Sequence, residues 1–250
     1  MISKPKTFDN ASALKVSQAV IGNTIGEYVL VGRTGESVKL SDYLGKPLLI
    51  SFIYTSCYHV CPTATRHLAQ AVNKARDVLG KDSFNVLTIG FDTPNDTSDA
   101  MREFARQQGI NQPGWKFLSG DQKTIGRLVN EVGFLYFSSP NGFDHLLQAT
   151  LVDGAGKVYR QIYGINGTRS DTPRLVEPLK ELVLGTPKSD SLLTTLANRI
   201  RLFCTVYDPG SDRYYFDYSL FVGVFIGAII LISMLFWLVR EWRGQRRNGT

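Results

Sequence analysis

Residues 47–62 read PLLISFIYTSCYHVCP, and this stretch decides the fold. Its first half, residues 47–54, is a continuous apolar run of strand length, which is typical of a strand covered on both faces. From Pro62 the pattern becomes helical, with proline in the first turn and Gly80 at the end. The apolar face of this helix consists of Ala64, Leu68, Ala71, Val72 and Ala75. The stretch therefore predicts a buried strand that leads directly into a helix, with two cysteines at the junction.

The chain around this stretch alternates between strand-like and helix-like segments. The pattern predicts a hairpin over residues 27–40, and it predicts further strands over 84–91, 115–118, 134–137, 146–152 and 157–163. It predicts further helices near 98–108, 121–131 and 172–184. Such alternation, with a late hairpin, indicates an α/β fold in which a mixed sheet is flanked by helices. We expect one domain over residues 21–185, preceded by a leader of unknown structure, residues 1–20.

The C-terminal part contains a candidate membrane helix. Residues 220–239, LFVGVFIGAIILISMLFWLV, are apolar apart from Ser233, and a helix of this length spans a bilayer of about 30 Å. Aromatic residues flank the run, as at membrane interfaces: Tyr214, Tyr215, Phe216, Tyr218, Trp237 and Trp242. We predict a transmembrane helix over residues 218–240, joined to the domain by a connecting segment, 186–217, and followed by a basic tail, 241–250. Gly223 and Gly227 form a G-x-x-x-G pattern that could pack against another helix.

The formal net charge of +6 is concentrated beside this helix. The arginines that follow the apolar run are Arg240, Arg243, Arg246 and Arg247. Their position indicates a membrane surface and no nucleic-acid partner, and it places the C-terminus in the cytoplasm and the domain on the outer side. The leader has no apolar core of signal-peptide length, so the sequence does not explain the export of the domain. A cytoplasmic domain on a tail anchor stays open as the alternative.

Cys57 and Cys61 lie at the carboxyl end of the buried strand, where open α/β sheets place their ligand sites. The two thiols can face the same direction, and the N-terminus of the following helix favours the thiolate. Such a pair can close a disulfide, attack the disulfide of another protein, or hold a soft metal ion such as Cu(I). A purely structural disulfide or two buried thiols are the alternatives.

A third ligand would favour the metal, and the chain has three histidines. His67 lies inside the predicted helix and is expected to be a packing or surface residue. His59 lies between the cysteines, with a side chain expected to point away from theirs, which leaves it a role as a transient ligand. His145 lies in a turn cluster, residues 141–145, and can project from a loop at the sheet edge. Its alternative role is that of a surface residue or of a hydrogen-bonded loop organiser.

Three motifs follow one another in a specific order along the chain. They are the C-x-x-x-C-P of Cys57, Cys61 and Pro62, an Asp-rich turn over residues 91–97, and the Asp144-His145 pair before a strand that ends in Val152-Asp153-Gly154. Together they resemble the Sco family of copper chaperones for cytochrome oxidase assembly, over about residues 21–185. The resemblance implies a thioredoxin-like domain that binds copper through Cys57, Cys61 and His145. It also implies a redox role and, as the partner, the copper A site of an oxidase subunit.

The position of the anchor differs from that of many family members, which carry it at the N-terminus. The arrangement here resembles a bacterial subgroup in which a segment like Cys204-Thr-Val-Tyr207-Asp208-Pro209 precedes a terminal membrane helix. This resemblance implies a single-pass protein of the bacterial inner membrane, with its domain on the periplasmic or extracytoplasmic side. Cys204 is an extra ligand, a pairing site or a packed small residue.

The sequence thus leaves three functions open. The first is a metallochaperone, and the second is a thiol–disulfide oxidoreductase with Cys57 as nucleophile and Cys61 as resolving thiol. The third is a structural subunit of a respiratory membrane complex. His145 distinguishes the metallochaperone from the oxidoreductase, because thiol exchange needs no imidazole. Asp92 and Asp96, in the Asp-rich turn, serve either as turn and helix-cap residues or as a docking surface.

Overall fold

A computed structural model describes residues 7–168, 170–185 and 205–247. The chain divides into two compact units, Met1–Asp190 and Ser191–Thr250, which are considered one at a time. Cys204 and the greater part of the predicted connecting segment, residues 186–204, lie outside the described residues. The same holds for residues 1–6 of the leader and residues 248–250 of the basic tail.

The first unit is built on a mixed sheet and a separate hairpin. Its strands in chain order are β1 (Val29–Gly32), β2 (Ser37–Lys39), β3 (Leu48–Ile53), β4 (Asn85–Gly90), β5 (Trp115–Ser119), β6 (Tyr136–Ser139), β7 (Gly142–His145), β8 (Gln148–Val152) and β9 (Val158–Tyr163). Seven of them form one sheet in the order β2-β1-β5-β4-β3-β8-β9, while β6 and β7 pair only with each other. Strand β3 runs parallel to β4 and antiparallel to β8, which confirms the predicted mixed sheet.

Helices flank this sheet, and all but the first lie near the predicted positions. They are α1 (Asn10–Ala19), α2 (Val60–Leu79), α3 (Ser98–Gln107), α4 (Gln122–Glu131) and α5 (Asp171–Gly185), with a 3-10 turn at Leu40–Tyr43. The side chains of Asp9, Thr97 and Asp121 accept backbone N–H groups at the starts of α1, α3 and α4, and so satisfy helix donors that have no partner inside the helix.

Strand β3 lies inside the sheet, between β4 and β8, and positions the cysteines. All six of its residues are buried, as predicted for a strand covered on both faces. Helix α2 begins shortly after β3 and buries one face, with Leu68, Val72, Ala75 and Leu79 in the core. Because both elements are fixed by burial, the short connection between them is held at the carboxyl end of the sheet.

The described part of the leader is a helix, α1, that packs on the domain. Ala13 and Ser17 are buried, and the Ser17 hydroxyl lies 2.7 Å from that of Tyr163. The Gln161 side chain donates to the Ser17 carbonyl at 3.3 Å and to the Val132 carbonyl at 2.9 Å. No helix was predicted here because α1 is short and only half apolar, and because these hydrogen bonds join residues far apart in the chain.

The outer edge of β9 is partly covered by the segment that follows α1. The backbone N–H of Gly22 donates to the Val158 carbonyl, and the Val158 N–H donates to the Asn23 carbonyl, both at 2.8 Å. At the other end of the sheet, β2 has only three residues. Both features shorten the row of unpaired backbone groups at the sheet edges.

The hairpin of β6 and β7 corrects the prediction for residues 134–145. His145 was expected on a loop, but it is the last residue of β7 and pairs with Tyr136 of β6. The turn lies between Ser139 and Gly142, which pair with each other, and Gly142 adopts a φ of +115° that favours glycine. Residues 141–145, whose composition resembles a turn, thus form mainly the second strand of the hairpin.

The second unit contains a hairpin and a long helix. Strands β10 (Thr205–Asp208) and β11 (Arg213–Phe216) are antiparallel, and the Asp208 carboxylate accepts the Gly210 N–H in the turn between them. Helix α6 (Ser219–Arg247) includes Phe221–Leu238, which is long and apolar enough to cross a membrane by length and composition. Within the described residues, no neighbouring side chain covers Gly223 or Gly227. The predicted fold class, an α/β sheet domain followed by one apolar C-terminal helix, is confirmed.

Candidate functional site

The two cysteines lie at the junction of β3 and α2. Cys57 belongs to the connecting loop and is partly exposed, whereas Cys61 lies in the first turn of α2 and is only 2% exposed. Both are free thiols. The backbone N–H of Cys61 donates to the Cys57 sulfur at 3.3 Å, while His59, at the cap position, makes no side-chain cap hydrogen bond. The sulfur of Cys57 therefore takes the place of the usual N-cap oxygen.

The two thiols have opposite acid–base properties. Burial raises the pKa of Cys57, but hydrogen bonds from the Cys61 backbone and the Tyr54 hydroxyl outweigh it, so that the pKa lies below its ordinary value. Burial also raises the pKa of Cys61, and the negative charge of Cys57 raises it further, to well above the ordinary range. Cys57 is thus the more acidic thiol of the pair, and Cys61 is the thiol that holds its proton more tightly.

His145 offers one defined ring nitrogen to a ligand. Its Nδ1 lies 2.8 Å from the Leu146 carbonyl oxygen, which can only accept, so Nδ1 carries the hydrogen and Nε2 keeps its lone pair. Burial lowers the pKa of His145, although the Leu146 carbonyl and the Asp144 charge act against this shift. The imidazole is therefore neutral near physiological pH, the form in which histidine binds metals.

A cluster of aromatic rings holds the imidazole in place. The ring centroid of His145 lies 5.3 Å from that of Phe134, 5.7 Å from Phe91 and 6.2 Å from Tyr54. Phe143 and Tyr136, from the same hairpin, pack against Phe91. Rings at these spacings bury a large area and have specific mutual orientations, so the hairpin has a defined position on the sheet.

Tyr54 lies between the thiols and the imidazole, and the sequence reasoning did not identify it. It follows directly after β3 and is only 7% exposed. Burial and the interaction of its hydroxyl with the Cys57 thiol raise the pKa of Tyr54 to about 12. Its ring is edge-on to His145, with 84° between the ring planes. The one signal in the sequence was a hydroxyl group at the end of an apolar strand, close to the cysteines.

The predicted three-ligand set is brought to one region but is not assembled. Among the residues that the structure describes, no three His, Cys, Asp or Glu side chains are grouped closely enough to hold a metal ion. The thiols are adjacent to each other, and His145 lies beyond the Tyr54 ring. A largely apolar pocket also borders His145, with Thr65 and Leu68 of α2 and Ile162 of β9 in its wall.

The other two histidines lie apart from this arrangement. His59 is exposed at the start of α2. His67 packs against Gly167, since a Cβ added to that glycine would lie 2.6 Å from the His67 Nε2. His67 is therefore a packing residue, in agreement with the first of the two roles expected for it.

Asp96 connects the cysteine loop to the Asp-rich turn. Its carboxylate accepts the backbone N–H and the hydroxyl of Thr55, both at 2.7 Å, and the N–H of Asp92 at 2.8 Å. Asp96 is 1% exposed, and Thr97 caps α3. Asp96 is therefore a turn residue, which was one of the roles expected for it, while Thr97 is the helix cap and the buried carboxylate is not available as a docking surface.

Comparison with known proteins identifies the family. The SCO1/SenC family model matches residues 17–183, which include both cysteines and His145. The SCO1 protein homolog of Bacillus subtilis is 27% identical over 150 residues, 58% of this chain and 76% of the relative. The part of each curated relative that matches this chain spans between 43% and 76% of that relative's length.

Solved structures agree with this assignment at the level of the fold. Bradyrhizobium japonicum ScoI with copper bound has a TM-score of 0.53 and 24% identity, and the match covers 65% of this chain and 99% of that one. BsSco, described as a member of the Sco family of cytochrome c oxidase assembly proteins, has a TM-score of 0.57 and 20% identity, with 65% and 94% coverage. The fold is thus the thioredoxin-like one that the motifs implied. Since the family model spans more than half of its residues, the chain belongs to the SCO1/SenC family.

Proposed function

We propose that this chain is a copper metallochaperone that binds copper through Cys57, Cys61 and His145 and delivers it to the copper A site of a cytochrome c oxidase. Membership of the SCO1/SenC family and the copper-bound Bradyrhizobium neighbour support the metal. The neighbour described as an oxidase assembly protein supports the acceptor. Two thiols and an imidazole are soft or borderline donors, and this set suits copper better than magnesium or calcium.

The observation that carries the proposal is the position of Tyr54. Its backbone carbonyl accepts the Cys57 N–H at 3.2 Å, and its ring lies edge-on to His145, so one residue adjoins both halves of the donor set. The three donors come from the β3–α2 junction and from the β6–β7 hairpin, which is separate from the main sheet.

The acidities of the thiols suggest an order of binding. Cys57 is partly exposed and is the readily ionised thiol, so it meets the incoming ion first. Cys61 is buried and protonated, and it loses its proton when the metal binds. Delivery then proceeds by ligand exchange, in which thiolates of the acceptor replace the exposed Cys57 before the buried Cys61.

A thiol–disulfide oxidoreductase that reduces the cysteines of the oxidase subunit is the second candidate. The contrast between a partly exposed thiolate at Cys57 and a buried thiol at Cys61 favours it, because this is the arrangement of an attacking and a resolving cysteine. In that reaction Cys57 attacks the partner's disulfide and releases one partner thiol. Cys61 then attacks the mixed disulfide, which frees the second partner thiol and leaves Cys57 and Cys61 oxidised.

We further propose that helix α6 anchors the chain in the bacterial inner membrane. The apolar segment Phe221–Leu238 and the arginines after it support a single span with a cytoplasmic C-terminus. This orientation places the first unit on the periplasmic or extracytoplasmic side. The uncovered Gly223 and Gly227 support a further contact with a helix of another membrane subunit.

The test is copper binding by the full chain in detergent, with and without His145→Ala. Because even partners outside the ligand set of a metal typically contribute about 10–100-fold, we expect His145→Ala to lower copper affinity at least about tenfold. Disulfide reduction should stay near wild type, and His59→Ala, which removes an exposed imidazole, should change neither property. Unchanged copper affinity in His145→Ala would reject the proposed ligand set and leave the oxidoreductase as the better candidate.

A further inference from the structure

We propose that Tyr58 and Val60, the two exposed apolar residues between the cysteines, form a docking pair for the protein that receives copper or electrons from the site. The matching surface of that partner is a segment that carries its own cysteines among apolar, uncharged side chains. The inference rests on the proposed function, because the partner is the acceptor of that function. It applies to both candidate reactions, since the acceptor must reach the same thiol in each.

The docking pair leaves much of its apolar surface in water. Tyr58 is 85% exposed and Val60 is 52% exposed. Among the large apolar side chains that the structure describes, none is more exposed than Tyr58, and those of α6 reach only 68%. His59, between the two, is exposed as well. The pair therefore contributes little to the core of its own chain, and it gains free energy when a partner removes it from water.

Hydrogen bonds on either side hold the loop that presents the docking pair. The Cys57 N–H donates to the Tyr54 carbonyl at 3.2 Å, and the Thr63 N–H donates to the His59 carbonyl at 3.3 Å. The Cys61 N–H donates to the Cys57 sulfur, also at 3.3 Å. The backbone around the pair is thus already ordered, so that a partner loses little free energy in ordering it.

The position of the docking pair beside Cys57 brings it into contact with any protein acceptor. Cys61 is 2% exposed, so Cys57 is the thiol within reach. A mixed disulfide joins two sulfurs at about 2.05 Å, and ligand exchange places both sulfurs on one copper ion. The Cα atoms of Cys57 and Tyr58 are only about 3.8 Å apart. A protein surface that reaches the Cys57 sulfur therefore also meets Tyr58, whereas a small molecule can react without doing so.

The lack of charge around the docking pair indicates the kind of partner. Residues 47–65 contain no Lys, Arg, Asp or Glu. The centres of protein interfaces are poor in charged residues and rich in aromatic ones, and tyrosine is frequent among the residues that dominate binding. A strongly charged segment would lose water at this loop without gaining an ion pair from it. An apolar, uncharged segment is the better match.

The first measurement compares a protein acceptor with a small one. The full chain in detergent, loaded with Cu(I), transfers the ion either to the reduced copper A domain of a bacterial oxidase subunit or to the chelator bathocuproine disulfonate. With Tyr58→Ser and Val60→Ser combined, we expect the rate constant for the domain to fall at least about tenfold. Copper affinity and transfer to the chelator should equal those of wild type. An unchanged rate with the domain, or equal losses with both acceptors, would overturn the inference.

The second measurement needs no copper. The reduced chain, carrying Cys204→Ser, meets the same domain with its cysteines oxidised to a disulfide. Cys57 and Cys61 each lose one hydrogen and form a disulfide, and both hydrogens pass to the cysteines of the domain. The double variant should reduce the domain at least about tenfold more slowly, but should reduce oxidised glutathione at the wild-type rate.

The two measurements separate the docking pair from the proposed metal. If the wild-type chain bound no copper, the metallochaperone would fail, while reduction of the domain would still decide whether the pair docks a partner. A wild-type chain that neither delivers copper to the domain nor reduces it would overturn the proposed function and the docking pair together.

Val29→Ser is the matched control. Val29 is 57% exposed, much like Val60, but it lies in β1, which β5 and β4 separate from β3 in the sheet. It should leave both rates unchanged, and an equal slowing in Val29→Ser would refute the inference. Thermal unfolding should show that all variants fold, because the replaced side chains are exposed. Tyr58→Phe keeps the ring and should retain most of the wild-type rate.

Discussion

The sulfur of Cys57 accepts the backbone N–H of Cys61 at 3.3 Å, so one thiol of the pair caps the helix that carries the other. Caps of this kind are usually oxygen atoms of Ser, Thr, Asp or Asn. Here that position is His59, which makes no side-chain cap hydrogen bond. A reaction at the Cys57 sulfur therefore changes a hydrogen bond that stabilises the first turn of α2.

This link predicts that the two thiols differ in reactivity. In a Cys204→Ser background, iodoacetamide should modify Cys57 at a pH below that of an ordinary thiol, whose pKa is about 8.5. Cys61 should react only at alkaline pH, because burial raises its pKa. Mass spectrometry of the digested protein, taken over a pH series, measures both rates. The chain unfolded in urea is the control and should show two similar profiles, whereas similar profiles in the folded chain would contradict the assignment.

The Asp96 carboxylate should contribute strongly to stability. Asp96→Ala leaves the N–H groups of Thr55 and Asp92 without their acceptor inside the protein, and we expect it to lower the free energy of unfolding by about 2–4 kcal/mol. Asp96→Asn keeps the shape and one acceptor oxygen, so its effect should be smaller. Asp99→Ala is the control, since the ion pair of Asp99 with Arg102 is exposed. Urea unfolding measures all three variants, and equal losses in Asp96→Ala and Asp99→Ala would disprove this role.

Burial of His145 should make the stability of the apo protein depend on pH. Because the pKa of His145 is lower in the folded chain than in the unfolded chain, the unfolded chain binds the extra proton first as the pH falls. The free energy of unfolding should decrease as the pH drops below about 6.5, until the folded His145 also becomes protonated. Urea unfolding between about pH 7 and pH 5 should show a weaker dependence in His145→Gln. His59→Gln, at an exposed position, should behave like wild type, and an unchanged slope in His145→Gln would argue against a buried neutral imidazole.

The arginines after the apolar helix should determine its orientation. In the proposed topology these positive charges retain the C-terminus in the cytoplasm, so replacing Arg240, Arg243, Arg246 and Arg247 with glutamine should give a mixed or inverted population. A C-terminal reporter that is active in only one compartment measures the orientation. Glutamine at Arg102 and Arg106, which lie on α3, removes charge far from the helix in the sequence and should leave the orientation unchanged. The proposed topology fails if the wild-type C-terminus is found outside.

The sequence was enough to predict those elements whose burial follows from a local pattern of residues. The apolar run 47–54 predicted β3, the spacing after Pro62 predicted α2, and the cysteines follow at the junction between them. The leader helix was not predictable in this way, because the hydrogen bonds of Ser17 and Gln161 connect distant parts of the chain.

The candidate site was less predictable than the fold. The thiols were recognised from their spacing, and His145 from its place in the motif order, but residues 141–145 have the composition of a turn and form mainly a strand. Tyr54 and Gly142 are remote in sequence, and their contact leaves no periodic pattern from which it could be predicted. Tertiary structure alone identifies Tyr54 as a neighbour of Cys57 and His145.

The two edges of the main sheet have a consequence for crowded conditions. The proposed anchor would confine copies of this chain to one plane, where exposed strand edges meet often and can join into aggregates. Here β2 offers only three residues, and the backbone of Gly22 and Asn23 occupies part of the outer side of β9. Both features shorten the strand edge that a neighbouring copy can extend, and so oppose edge-to-edge polymerisation of the first unit.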